Sequence, residues 1–367
     1  DPWLQFWLAS ARFAGAPNDA AAQFERAYRG FSAQAQGADD IGRFLSLAGL
    51  IDSLVHDPDD LHPLDRWIGE VEQLIAARPW PNSVIEARVT QSLFIALVLR
   101  QPQHPQLYAW GERTLALAHG AGDARLRMTS GLYVVTVMIW TGRFARAAAL
   151  IEALRAIAEE QVVPAVALVT LRQLESMYYM LIGRQDACLE AVYDGLDLAS
   201  NSGVSLWRST LLLHGAGASL AAGDLDTSAK LLAEVGERGG GMRRFGACMR
   251  QYFLGWDALL RGDSWQAHEH ARESVNLAEQ LGAPFFQALA GLALVQAQFA
   301  IGEAAAAREQ LERTLRVATP IRSLLFDYMA RLASAQLAQS QGDTALAEQQ
   351  LREALALGRP AVIEVMV

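Results

Sequence analysis

The sequence predicts an all-α fold, a right-handed superhelix (α-solenoid) of about nine antiparallel helix pairs with repeats of about 40 residues. Three observations predict it: glycines recur at spacings of 39 to 41 residues, small residues recur at a fixed distance from them, and no segment alternates like a β-strand. The recurring glycines are Gly142, Gly183, Gly223, Gly262, Gly302 and Gly342. A constant period of this length indicates stacked units whose core grows along one axis.

Each recurring glycine, called a corner glycine below, is expected to join the two helices of a pair. A helix commonly ends on a residue in the left-handed region, which glycine enters without steric cost. The residues after the last four corner glycines are acidic and can cap the next helix or favour its positive end: Asp224, Asp263, Glu303 and Asp343.

The residue five positions after each corner glycine is small, which lets the two helices pack closely. These residues are Ala147, Cys188, Ser228, Ala267, Ala307 and Ala347. The repeat therefore specifies a packing interface as well as a corner.

The first third of the chain is less regular but continues the pattern. Helix pairs are predicted over 3–34, 39–77 and 83–119, separated by segments that contain proline. Proline ends these helices because it lacks the N–H and has a fixed φ. We therefore divide the chain into irregular N-terminal helical repeats over 1–120 and regular repeats over 121–367, in one continuous solenoid that we expect to be a fragment of a larger protein.

Composition excludes several classes of protein. The chain has 367 residues, of which 52% are hydrophobic and 19% charged, so it is not intrinsically disordered. A net charge of −9 argues against direct contact with nucleic acid, and no apolar run is long enough to span a membrane. Two cysteines, Cys188 and Cys248, do not make a disulfide framework, and a reducing cytoplasm is the expected location.

The sequence carries no catalytic or metal signature. It lacks the G-x-S-x-G elbow and the phosphate-binding P-loop, and its one lysine, Lys230, does not follow a glycine-rich loop. The two histidines of His268-Glu269-His270 stand two positions apart and point to different sides of a helix, so we predict no metal and no cofactor. An enzyme is kept as a control hypothesis, which requires strongly perturbed titratable groups near His214 or Cys188.

The corner pattern, Gly-Asp followed five places after the glycine by Ala, resembles the tetratricopeptide repeat (TPR), with units about six residues longer than its usual 34. A resemblance over nearly the whole chain is carried by 2–8, 21–31, the 100–105 turn, 199–207 and 281–285. These segments look like the TPR-like region of large bacterial ATP-dependent transcriptional activators similar to the maltose regulator, of LuxR or SARP type.

That resemblance implies a non-catalytic sensor domain of a transcriptional regulator, with the ATPase and DNA-binding domains elsewhere in the polypeptide. The implied partner is a small-molecule effector bound in the concave groove, whose binding shifts the equilibrium between two curvatures of the superhelix. The alternative is an interaction scaffold that binds a peptide or a regulatory domain in the same groove. Self-association of the full-length protein is a further option.

Candidate ligand-binding residues follow from the TPR analogy, in which the first helix of each pair lines the concave surface. Positions six and nine before the corner glycine, together with nearby polar and aromatic residues, mix flat apolar surfaces with hydrogen-bonding groups, as ligand sites do. The predicted set is Tyr133, Thr136, Trp140, Gln173, Tyr179, Arg208, Thr210, His214, Trp256 and Gln296. The competing interpretation is that aromatic members such as Tyr133 and Tyr179 pack in the core between repeats.

Overall fold

The structure is a computed structural model that describes residues 1–13, 15–33, 39–56, 58–120, 124–236 and 242–361. These residues form eighteen α-helices and one 3-10 turn (Thr319–Ile321), and they contain no strand. The helices are α1 (Pro2–Arg12), α2 (Pro17–Ser32), α3 (Asp40–Val55), α4 (Leu64–Ala77), α5 (Ser83–Arg100), α6 (Leu107–Gly120), α7 (Ala124–Trp140), α8 (Phe144–Glu160), α9 (Ala165–Leu181), α10 (Gln185–Ser202), α11 (Arg208–Ala221), α12 (Leu225–Gly236), α13 (Arg244–Leu260), α14 (Ser264–Leu281), α15 (Pro284–Ala300), α16 (Ala304–Ala318), α17 (Leu324–Ser340) and α18 (Thr344–Ala361).

The all-α prediction and the count of nine helix pairs are confirmed. The pairs predicted over 3–34, 39–77 and 83–119 correspond to α1–α2, α3–α4 and α5–α6. Pro17 stands at the first position of α2, where its missing N–H costs nothing because that group has no partner inside the helix.

The six corner glycines adopt the left-handed conformation that the sequence predicts, with φ between 72° and 84°. In each corner, the N–H of the residue after the glycine donates to the carbonyl five residues back, as Arg143 does to Met138 (2.7 Å) and Asp343 to Ala338 (2.9 Å). This is the Schellman motif, which satisfies carbonyls that the helix end leaves unpaired. One local device therefore repeats along the chain.

Of the two roles predicted for the acidic residue, capping is confirmed for the three aspartates, whereas the role of Glu303 at the positive helix end stays a prediction. Asp224, Asp263 and Asp343 each accept a hydrogen bond from the backbone N–H three residues on, at 3.0–3.1 Å. Glu303 makes no such bond. The extra methylene of glutamate accounts for the difference, because Asp is a preferred N-cap residue and Glu is not.

The small residues after the corners pack as predicted. Ala147, Cys188, Ser228, Ala267 and Ala307 are completely buried, and Ala347 is 7% exposed. Four positions further on, the apolar residue is buried in the first five of these units but Leu351 in α18 is 45% exposed.

The chain divides by its internal contacts into two compact units, each described by itself. Unit 1 comprises Asp1–Val134, Ala153–Thr170 and Leu198–Trp207, and unit 2 comprises Val135–Glu152, Leu171–Asp197 and the described residues of Arg208–Val367. The sequence division at residue 120 stays a prediction. Within the described ranges, no helix is both long and apolar enough to cross a membrane.

Candidate functional site

All ten predicted site residues lie on the first helix of a pair. Tyr133, Thr136 and Trp140 are on α7, Gln173 and Tyr179 on α9, and the remainder on α11, α13 and α15. Tyr133 belongs to unit 1 and the other nine to unit 2, so each unit carries its own set of candidates.

In unit 2, His214 and Gln173 meet in the interior through Ser176. The hydroxyl of Ser176 donates to the carbonyl of Gln173 (2.8 Å) and lies 2.8 Å from Nδ1 of His214. His214 is 8% exposed and Ser176 is completely buried. Burial lowers the pKa of His214 to about 3, because the charged imidazolium loses its hydration there.

Cys188 lies beside the same group. Its Sγ donates to the carbonyl of Ser176 (3.2 Å), and burial raises the pKa of its thiol to about 12. The perturbed groups that the enzyme hypothesis requires are therefore present, but their direction opposes reactivity. A thiol with a raised pKa is a poor nucleophile, and the serine proton is already donated to a carbonyl.

Trp140 belongs to an aromatic cluster in unit 2. Its ring stacks on Phe285 with centroids 4.3 Å apart and makes a T-shaped contact with Phe286, with centroids 5.5 Å apart. Next to it, the Ser323 hydroxyl donates to the Trp140 carbonyl (2.6 Å) and the Leu324 N–H donates to the Thr141 carbonyl (3.2 Å). These two bonds, called the clasp below, join the end of α7 to the start of α17.

The other predicted residues of unit 2 are distributed over separate positions. Tyr179 contacts the ring of Tyr178, Arg208 is ion-paired with Glu234, and the rings of Trp256 and Tyr252 form a T-shaped pair. Thr210 is buried, whereas Thr136 and Gln296 are partly buried. The ligand-binding role of these residues stays a prediction.

Unit 1 contains a buried polar group around Tyr133, called the Asp52 cluster below. Its members come from α3, the end of α3, α5, α7, α9 and the segment before α11: Asp52, His56, Arg88, Tyr133, Thr170 and Trp207. Residues that are far apart in sequence therefore converge on one place.

One side of the Asp52 cluster is formed by the ion pair between Asp52 and Arg88. Oδ2 of Asp52 accepts from Arg88, which also donates to the hydroxyl of Ser92 (2.6 Å). Asp52 is 5% exposed, whereas the Arg88 side chain is 31% exposed. Burial, and then the Asp52 charge, raise the pKa of Tyr133 well above its ordinary value, so its hydroxyl stays protonated.

Aromatic rings form the other side. The imidazole of His56 lies 5.5 Å from the ring of Trp207, 6.4 Å from Tyr133 and 5.2 Å from Phe13, measured between centroids. The indole N–H of Trp207 donates to Thr170 (2.7 Å). Burial lowers the pKa of His56, so this imidazole is neutral at pH 7.

Of the Asp52 cluster, only Tyr133 is among the residues predicted from the sequence. Asp52, His56 and Arg88 lie in the first third of the chain, before the corner glycines that gave the register begin. Trp207 ends one of the segments that carried the family resemblance, which is the one signal that pointed to it. Across the described ranges, no group of three or more His, Cys, Asp or Glu side chains is placed to hold a metal ion.

Comparisons with known proteins show similarity in fold. No protein-family model matches the chain, and no curated protein sequence matches it. A crystal structure of a Rap protein complexed with competence and sporulation factor superposes with a TM-score of 0.63 at 11% identity, over 91% of this chain and 99% of that chain. Aspartyl phosphate phosphatase F from Bacillus subtilis gives a TM-score of 0.51 at 10% identity, over 100% and 96%.

A third solved structure covers a larger protein. It is a signal transduction ATPase with numerous domains and a tetratricopeptide repeat sensor from Pyrococcus horikoshii, with a TM-score of 0.45 at 12% identity, over 93% of this chain and 52% of that chain. From the first two similarities and the repeated corners, the chain has a TPR-like all-α fold.

Proposed function

We propose that this chain is a non-catalytic sensor module that binds a small-molecule effector at the Asp52 cluster. The observation that carries the proposal is convergence: a carboxylate, a guanidinium, a neutral imidazole and two large aromatic rings from four parts of unit 1 contact one another around Asp52 and His56. Ligand sites combine flat apolar surfaces with a few polar groups in this way.

The Rap protein, which is similar in fold, was crystallised in a complex with competence and sporulation factor, and this complex supports binding of a peptide as well as of a small molecule. A sequence identity of 10% gives no ground for assigning phosphatase activity to this chain. Instead, the protonated thiol of Cys188 and the buried hydroxyl of Ser176 support a non-catalytic role.

We infer that the wider protein is a cytoplasmic bacterial transcriptional regulator whose ATPase and DNA-binding domains respond to this module. The segment resemblances to activators similar to the maltose regulator support this proposal. The acidic charge of −9 supports placing DNA contact outside this chain.

The alternative function is an interaction scaffold for a peptide or a regulatory domain. An extended peptide needs a row of contacts along several repeats. The aromatic rings of the Asp52 cluster instead pack around a single imidazole, that of His56, which favours a compact ligand or a single terminal group.

The experiment is a thermal-shift and calorimetric screen of the chain against metabolites and sugars. An effector at 100 times its Kd is expected to stabilise the protein by about 2.7 kcal/mol. The Tyr133→Phe variant should weaken binding, whereas Tyr193→Phe, at a tyrosine of unit 2 that is 51% exposed and outside the predicted site, is the matched control. If no compound binds while a peptide or protein does, the scaffold replaces the sensor.

A further inference from the structure

One carboxylate oxygen in the Asp52 cluster is left over. Oδ2 of Asp52 accepts a hydrogen bond from Arg88, and the Tyr133 hydroxyl faces the same carboxylate, whose charge helps to raise the pKa of Tyr133. Oδ1 of Asp52 is buried and accepts no hydrogen bond of ordinary geometry. A buried acceptor without a hydrogen bond is destabilising, and more so when it is charged. Such a group calls for a donor that occupies the site.

The imidazole of His56 adds a second acceptor. Its Nδ1 lies 2.7 Å from the backbone carbonyl of Asp52, and a carbonyl only accepts, so the proton is on Nδ1. In the neutral ring, Nε2 is therefore a lone-pair acceptor. The cluster thus offers a charged and a neutral acceptor, beside the indole ring of Trp207 and the phenol ring of Tyr133.

A protonated amine is the group that fits these features together. An ammonium donates up to three hydrogen bonds and is attracted both to a carboxylate and to the faces of aromatic rings. The net charge of −9 favours the approach of a cation. Arg88 does not donate to Oδ1 of Asp52, because its hydrogen bonds go to Oδ2 of Asp52 and to the hydroxyl of Ser92.

We infer that the Asp52 cluster binds the protonated amine of its ligand, with the ammonium donating to Oδ1 of Asp52 next to the ring of Tyr133. This inference rests on the proposed function and names the chemical class of the effector. The same ammonium occurs on a free small amine and at the amino terminus of a peptide, so the experiment separates these two sources.

The probes are matched pairs that differ in the ammonium. Tyramine is compared with 4-ethylphenol, and the tripeptide Ala-Phe-Ala is compared with its N-acetylated form, by calorimetry on the full chain. We expect the charged member of at least one pair to bind at least about tenfold more tightly than the neutral member. A hydrogen bond to a charged group contributes about this much to binding affinity. Preference for tyramine assigns a free amine, and preference for the free tripeptide assigns a peptide terminus.

The site is located by NMR on the wild-type protein. The indole N–H resonance of Trp207, assigned with Trp207→Phe, should shift on titration with the charged probe and not with the neutral one. This readout requires no change to Asp52. Equal binding of the charged and neutral members of both pairs, or an unmoved Trp207 resonance, overturns the inference.

A substitution then tests the carboxylate. Asp52→Asn keeps the shape and removes the charge, so the charged probe should lose about tenfold in affinity while the neutral probe is unchanged. Asp65→Asn is the matched control, because it removes an aspartate of unit 1 that pairs with an arginine, Arg100 (2.7 Å), outside the cluster. An equal loss in the two variants contradicts a role for Asp52 in binding.

Failure of this inference is distinguishable from failure of the proposed function. If no amine binds but a compound from the metabolite screen shifts the Trp207 resonance, the sensor stands and the amine is wrong. If no compound of any class shifts that resonance, both fail.

Discussion

Adding a single methyl group at Gly142 should break the clasp in unit 2. This corner glycine has φ of 76°, and a Cβ built on it would lie 2.9 Å from Cβ of Leu324 and 3.3 Å from the backbone nitrogen of Leu325. The same segment holds the hydrogen bond from Leu324 to Thr141. Gly142→Ala therefore imposes backbone strain and a steric clash together.

Gly302 separates the two effects. It is also a corner glycine, with φ of 82°, but a Cβ there meets no atom within 4 Å. Gly302→Ala should cost only the left-handed strain of about 1–2 kcal/mol. Gly142→Ala should cost that amount plus about 1–3 kcal/mol of overpacking, which totals about 2–5 kcal/mol.

The assay is urea unfolding combined with hydrogen exchange, because repeat proteins need not unfold in one step. In Gly142→Ala, the amide of Leu324 should lose protection before the rest of α17, whereas in Gly302→Ala it should keep it. Equal destabilisation by the two variants, with Leu324 still protected in both, would refute the reasoning that this corner packs against the start of α17.

Three further predictions concern single groups. Cys188 should resist alkylation in the native protein at about pH 8 and react in urea, because its pKa is raised to about 12; labelling followed by mass spectrometry checks this. The pKa of His214 is about 3 when folded and near 6.5 when unfolded, so stability should be complete above pH 6.5 and fall as the pH drops through that window. His214→Gln should flatten this slope in urea midpoints. Asp263→Ala should lower the free energy of unfolding by about 1 kcal/mol, because it removes a capping hydrogen bond. Glu303→Ala removes no such bond and should change the free energy of unfolding by less than about 0.5 kcal/mol, both measured by urea unfolding.

The corner prediction succeeded because its physics is local. Gly262 takes the left-handed conformation because it ends a helix and because glycine, without a Cβ, enters that conformation at no steric cost. The burial of Ala267 follows from the same repeat, since the corner brings the second helix back against the first. Glu303 makes no capping hydrogen bond, because its side chain is one methylene longer than that of aspartate, so only the favourable interaction with the helix dipole stays predicted for it.

The candidate site was predicted only in part, because its members meet through space. Tyr133 was predicted because it lies nine positions before the corner glycine Gly142, but no repeat spacing in the sequence connects Asp52 with Trp207. Their convergence on His56 depends on the rotation between successive helix pairs, a small angle that adds up along the array.

The sequence by itself determined the helix pairs, their corners and the small residues between them, because backbone sterics and helix periodicity act over a few residues. Only the tertiary structure decided that Asp52 keeps a buried oxygen without a partner, and that Trp140 stacks on Phe285. Such contacts are set by the summed geometry of several repeats, which no single repeat encodes.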